Sequence, residues 1–133
     1  SSHTDSGQLL SSPRGITVFN TAGQVAVRAA TDDAGRGFVM ARSGPPKGAV
    51  GALMVTERGS QLSLADTAGK IRADLRSHDG LLILNSAGST VANLSSQGES
   101  GYLELNDAGA QQMVVARSES GEGYVDVNKP ERN

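Results

Sequence analysis

Ser77-His78-Asp79 carries the three residue types of a hydrolytic triad in consecutive order. Such a triad needs the serine oxygen on one imidazole nitrogen and the carboxylate on the other. Three neighbours in a tight turn cannot make both contacts, so the segment reads as a solvated turn. His78-Asp79 also spells a pair used in metal sites, but those sites need further histidines, and the other histidine is His3, close to the first residue. The acidic residues Asp32, Asp33, Asp79, Glu99, Glu119 and Glu122 fall between apolar segments, where calcium would find oxygen ligands. No segment has the Asp-x-Asp-x-Asp spacing of a calcium loop, and acidic loop tips read as solvation. Tyr102 and Tyr124 stand 22 residues apart at equivalent places before Asn106 and Asn128. Aligned rings of this kind can stack on a sugar, or they can cap the end of a core. The expectation is a chain with no catalytic, cofactor-binding or metal-binding residues, and no enzyme.

The composition removes further classes. With no Cys among 133 residues there is no disulfide framework, thiol nucleophile or Cys-ligated zinc. No apolar run approaches the length of a membrane-spanning helix. Twelve Lys and Arg against 14 Asp and Glu, a net charge of −2, give no clustered basic excess to hold nucleic acid. Aromatic residues are 3% of the chain and Trp is absent, so any buried material is Leu, Val, Ile and Ala. The start, Ser1-Ser2-His3 without an initiator Met or an apolar leader, reads as a processed or excised end.

What must position any site is an internal repeat. One punctuation mark recurs as Asn20-Thr21-Ala22-Gly23, Asp66-Thr67-Ala68-Gly69, Asn85-Ser86-Ala87-Gly88 and Asn106-Asp107-Ala108-Gly109. The glycines are spaced 46, 19 and 21 residues apart, and Pro45-Pro46-Lys47-Gly48 fills the double gap as a diverged copy. An Asx side chain at the first place bonds to backbone two residues on, and glycine at the fourth takes positive φ cheaply, so each mark predicts a tight hairpin turn. The predicted turn residues are therefore Asn20, Gly23, Gly48, Asp66, Gly69, Asn85, Gly88, Asn106 and Gly109.

Short apolar stretches precede the turns, at residues 16–19, 62–65, 81–84 and 102–105, and read as first strands. After each turn the period is two: Val25, Val27, Ala29; Val50, Ala52, Met54; Ile71, Ala73, Leu75; Thr90, Ala92, Leu94; Gln111, Met113, Val115. These columns are predicted to face inward, and Arg28, Arg72, Asp74 and Asn93 opposite them to face solvent. Prolines 13, 45, 46 and 130 fall between strands. No helix is predicted. The fold class is all-β, tandem two-strand hairpin repeats of about 21 residues in an elongated β-meander or sandwich, with a β-solenoid as the alternative. Residues 1–133 form one repeat domain: an extended leader at 1–15, about five and a half repeats at 16–128, and a tail at 129–133.

The pattern Leu-x-Leu-x-Asx-x-x-Gly-x-x-x-Ala-x-Leu, as in residues 62–75, resembles β-repeat segments of bacterial surface adhesins and of trimeric phage and viral fibre shafts. The resemblance implies a structural or adhesive role, carried by an extracellular or cell-surface protein, and assigns no functional residue. Combined with a thin aliphatic core, it gives the expected function: a structural subunit that self-assembles into a fibre, filament or appendage. The partner is then the chain itself, with a glycan or protein ligand as the partner in the alternative, adhesive reading. The two ends suggest strand exchange between subunits. Tyr124, Val125 and Val127 lie in a first strand lacking its second, and Gln8, Leu9 and Leu10 in a second strand lacking its first.

Overall fold

The computed structural model describes residues 8–12, 14–44, 48–109 and 111–128, the first of these segments by its backbone. Every element among the described residues is a strand. They fall into two compact units, residues 1–71 and 72–133. Unit 1 holds β1 (Gln8–Ser12), β2 (Gly15–Phe19), β3 (Val25–Thr31), β4 (Gly37–Arg42), β5 (Val50–Thr56) and β6 (Gly59–Ala65). Unit 2 holds β7 (Ile71–Arg76), whose first residue lies at the boundary, then β8 (Gly80–Leu84), β9 (Thr90–Gln97), β10 (Ser100–Asn106), β11 (Gln112–Glu119) and β12 (Glu122–Val127).

Within each unit every strand pairs antiparallel with its sequence neighbour, from Leu10↔Thr17 in the first hairpin to Ala116↔Val125 in the last. Each unit is therefore a hairpin meander; the parallel pairing of a solenoid does not occur among its described residues. The apolar stretches foreseen as first strands are β2, β6, β8 and β10.

Pairing register sorts the side chains onto two faces, because directly opposed residues project to the same side. In unit 1 one face carries two rows of uncharged side chains: Val18, Val27, Ala41, Gly51, Leu64, and Ile16, Ala29, Val39, Leu53, Leu62. Unit 2 repeats this with Ala73, Ile83, Ala92, Leu105, Val114, Val127, and Leu75, Leu81, Leu94, Leu103, Ala116, Val125. The charged residues of the described strands, among them Arg28, Asp74, Arg76, Glu104, Arg117 and Asp126, all project from the opposite face.

Burial divides the columns foreseen as inward. Val27, Ile71, Leu75 and Leu94 are open to solvent, 38% to 54% exposed, whereas Ala52 and Val115 are buried, as expected. Asp74, foreseen as solvated, is 2% exposed, and the other buried strand residues, Ala52, Ser63 and Val115, also project from the charged face. The reason is side-chain length. Arg, Gln, Met, Phe and Tyr lie down over their short neighbours, whereas upright Val, Leu and Ala in a single layer cannot cover one another.

Candidate functional site

Two kinds of local structure stand out: the Asx turns that set the frame, and the polar face of unit 2 that the frame presents. At Asn20, Asp66 and Asn85 the side-chain Oδ1 accepts two backbone N–H groups, those two and four residues on, at 2.9 to 3.1 Å. The glycines that follow, Gly23, Gly69 and Gly88, have φ of +76°, +77° and +88°. The same geometry recurs at Asp32, whose Oδ1 accepts from Ala34 and Arg36 while Gly35 sits at φ +77°. Sequence reading placed Asp32 among the longer acidic turns, although Asp32-Asp33-Ala34-Gly35 carries the mark in full. Its carboxyl is held below its ordinary range, first by the Arg36 backbone N–H and then by the Arg36 guanidinium, whose Nε is 2.9 Å away.

Two predicted turns differ from expectation. The turn after β10 begins at Asp107, whose Oδ1 accepts from Gly109 and Gln111, and Gly109 is not left-handed. Asn106 instead ends β10 and clamps the preceding strand, its Nδ2 donating to the Thr90 carbonyl at 3.1 Å. Asn128 does the same to Gln112 at 2.8 Å. This one-residue displacement puts Val114 and Ala116, not Met113 and Val115, on the aliphatic face. In the copy after β4, Pro45, Pro46 and Lys47 lie outside the described residues; Gly48 is buried without a positive φ, and Gly44 is the left-handed glycine at +69°. There Gly51, Leu53 and Val55, not Val50, Ala52 and Met54, take the aliphatic side. Counted from Asn20, Asp32, Asp66, Asn85 or Asp107, the seventh and ninth residues always lie on the aliphatic face.

Ser77, His78 and Asp79 lie in the segment between β7 and β8. His78 Nε2 is 3.1 Å from Asp79 Oδ2, and the same oxygen is 3.4 Å from Arg76 Nη1. Arg76 also holds the buried Asp74, at 2.6 Å from Nη2 and 2.8 Å from Nε. The Asp79 carboxylate is thus committed to a guanidinium and to a neighbouring ring, a local arrangement that braces the hairpin. No group of three or more His, Asp or Glu among the described residues is placed to hold a metal ion.

On the polar face of unit 2, Tyr102 and Tyr124 occupy one cross-strand row with Arg117 between them. Each hydroxyl donates to a carboxylate two residues away, Tyr102 to Glu104 at 2.5 Å and Tyr124 to Glu122 at 2.8 Å. Gln112 Nε2 donates to both Tyr102 Oη and Glu104 Oε2. The contact raises the Tyr102 phenol above its usual range, through its bond to Glu104, and lowers Glu104, through Tyr102 first and Asn106 next. Beside the row lies a shallow hollow of about 450 Å³ bordered by Gln97, Gln112, Arg117, Asp126 and Asn128. Compared with protein-family models, curated proteins and solved structures, the chain matches none.

The terminal segments named as assembly strands are both strands with one neighbour in their unit. Gln8, Leu9 and Leu10 pair with Phe19, Val18 and Thr17. Tyr124, Val125 and Val127 pair with Arg117, Ala116 and Val114. The feature that sequence reading missed is the wet aliphatic face. Part of it was identified, as Val27, Ala29, Ala73, Leu75, Ala92 and Leu94, but exposure depends on whether a second layer covers these residues, which a repeat pattern does not encode.

Proposed function

We propose that the chain is a non-enzymatic structural subunit that assembles with copies of itself into a fibre, filament or appendage at or outside the cell surface. The observation that carries this reading is the single-layer sheet of each unit, which leaves an uncharged aliphatic face in water. Apolar patches beyond a few hundred Å² are rare on soluble monomers and mark surfaces that another layer covers. The turns support the same reading: repeated Asx clamps hold a regular surface without converging on a reactive centre. Sedimentation and negative-stain electron microscopy over a range of concentrations test it. Ordered assemblies that grow with concentration are expected; a 13.6 kDa species at every concentration would overturn the reading.

A second reading, a ligand-binding or adhesive module, draws on the Tyr102, Arg117 and Tyr124 row with its polar hollow. It predicts saturable glycan binding that Arg117→Ala and Tyr124→Ala both weaken, at constant protein mass.

A further inference from the structure

We infer that copies of this chain join face to face, through the two-row aliphatic band of each unit, with the charged faces turned outward and the strand edges left out of the joint. This rests on the self-assembly reading and names the surface that would carry it. Three observations converge on a second copy as the occupant.

The first is charge. Among the described strands every Lys, Arg, Asp and Glu lies on the other face, so a partner carrying charge or unpaired polar groups would lose their hydration against this band. A copy of the same chain presents an identical uncharged surface, and identical surfaces can meet about a rotation axis. The second is extent. On the band Ile16, Val39, Leu53, Leu94, Val125 and Val127 are each 48% to 68% exposed, so large aliphatic side chains of both units stand in water. The third is relief. In unit 1 a hollow of about 520 Å³ opens where Ala29, Gly37 and Ser60 are small, bounded by Val39, Leu53 and Val55. On the same face Ile16, Leu62 and Leu64 stand out, 49%, 38% and 47% exposed. Sheets that pack on one another interdigitate by such projections and hollows, about 10 Å apart.

Edge-to-edge strand addition gives a different picture. It would satisfy main-chain groups at β1 and β12 but leave the band as wet as before. The two modes therefore differ in what water reaches.

The absence of native Cys makes that difference measurable. Leu53→Cys and Leu94→Cys report on the band of each unit, and Arg28→Cys and Gln97→Cys on the opposite faces. Each full-length variant is assembled and its reaction with a water-soluble maleimide is timed. Face-to-face packing predicts that the band cysteines react at least about tenfold more slowly than the others, and that dilution to subunits removes the protection. If assemblies form but all four cysteines react alike, copies join elsewhere and this inference falls while self-assembly stands. If no assembly forms, the self-assembly reading has failed first, and this inference with it. If protection at residues 53 and 94 appears only with phosphatidylcholine vesicles, the occupant is lipid and the second-copy inference is overturned. Leu53→Glu with Leu94→Glu is a further check, expected to give dispersed subunits that keep their strand circular dichroism; if it unfolds instead, the labelling rates still decide.

Discussion

The two units share one face and differ in the other. On the aliphatic side both carry two uncharged rows set by the same count from an Asx residue. On the opposite side unit 1 places Phe38, Met40 and Met54 around the buried Ala52, with the Arg28 guanidinium 5.6 Å from the Phe38 ring centre. Unit 2 places there the Asp74 and Arg76 ion pair and the Tyr102, Glu104 and Gln112 network. A feature kept in two units of different chemistry points to a common demand on it, and the aliphatic band is that feature. The opposite faces solve a local problem, covering backbone and short side chains, by dispersion in one unit and by hydrogen bonds in the other.

That comparison breaks most readily at a backbone feature the units share. Gly15 and Gly80 each open a strand, at φ +154° and +93°, and a Cβ on either would sit 2.3 Å from a carbonyl oxygen, of Ala29 and Leu94 respectively. Gly15→Ala and Gly80→Ala are each expected to cost about 3 kcal/mol or more in urea unfolding, with similar losses in the two units. A loss at only one of them would mean that the units are not built alike. The next effect separates the units. Asp74→Ala removes a buried carboxylate and leaves Arg76 its longer contact to Asp79, for an expected loss of about 2 kcal/mol, moderated because the Arg76 side chain is 35% exposed. Ser63→Ala, at a buried position of unit 1, is expected to change stability by less than about 1 kcal/mol. Equal losses would show that the Asp74 pair has no special weight.

The smallest expected effect is the pH dependence of the unit 2 network, beside which unit 1 contributes an acid arm through Asp32, held below its ordinary range. Glu104 is held below its ordinary 4.5, so its contribution is present above that pH and is lost as pH falls through the lower folded value. Tyr102 is held above its ordinary 10.0, so its contribution is present below that pH and is lost as pH rises through the higher folded value. Stability should be flat between 4.5 and 10.0 and decline on both sides, by less than about 1 kcal/mol for this partly exposed pair. Tyr102→Phe should abolish the alkaline arm and shrink the acid one. An unchanged profile would remove the network from the account of unit 2.

The all-β class and the hairpins were legible because turn chemistry is local. Asn20, Asp66 and Asn85 each combine an Asx acceptor with a left-handed glycine three residues on, and nothing distant is needed to read them. Where the reading slipped, the local signal was degenerate. Asn106 and Asp107 are both Asx, and Gly109 favours the frame that the backbone does not use. The strand that follows, Met113-Val114-Val115-Ala116, is apolar at every position, so alternation could not correct the frame. Residues 52–55, Ala-Leu-Met-Val, hid the parity of β5 in the same way. The Tyr102 and Gln112 contact joins residues ten apart across a bulged register, beyond what spacing reveals. Which face is dry was legible only at Ala52 and Val115, since Asp74 is covered by the reach of its neighbours rather than by its own hydropathy.

Among the described residues only Ala52 and Val115 of the apolar side chains are buried, and this has a calorimetric consequence. The heat capacity of unfolding and the denaturant slope both scale with the apolar and total surface that unfolding newly exposes. A lone chain of this kind has already hydrated much of its aliphatic surface, so it unfolds with a shallow denaturant slope and a flat stability curve. Covering the bands would restore the missing heat capacity and sharpen the transition, and the protein would acquire the thermodynamic signature of an ordinary core only when its concentration, rather than its sequence, supplied the second layer.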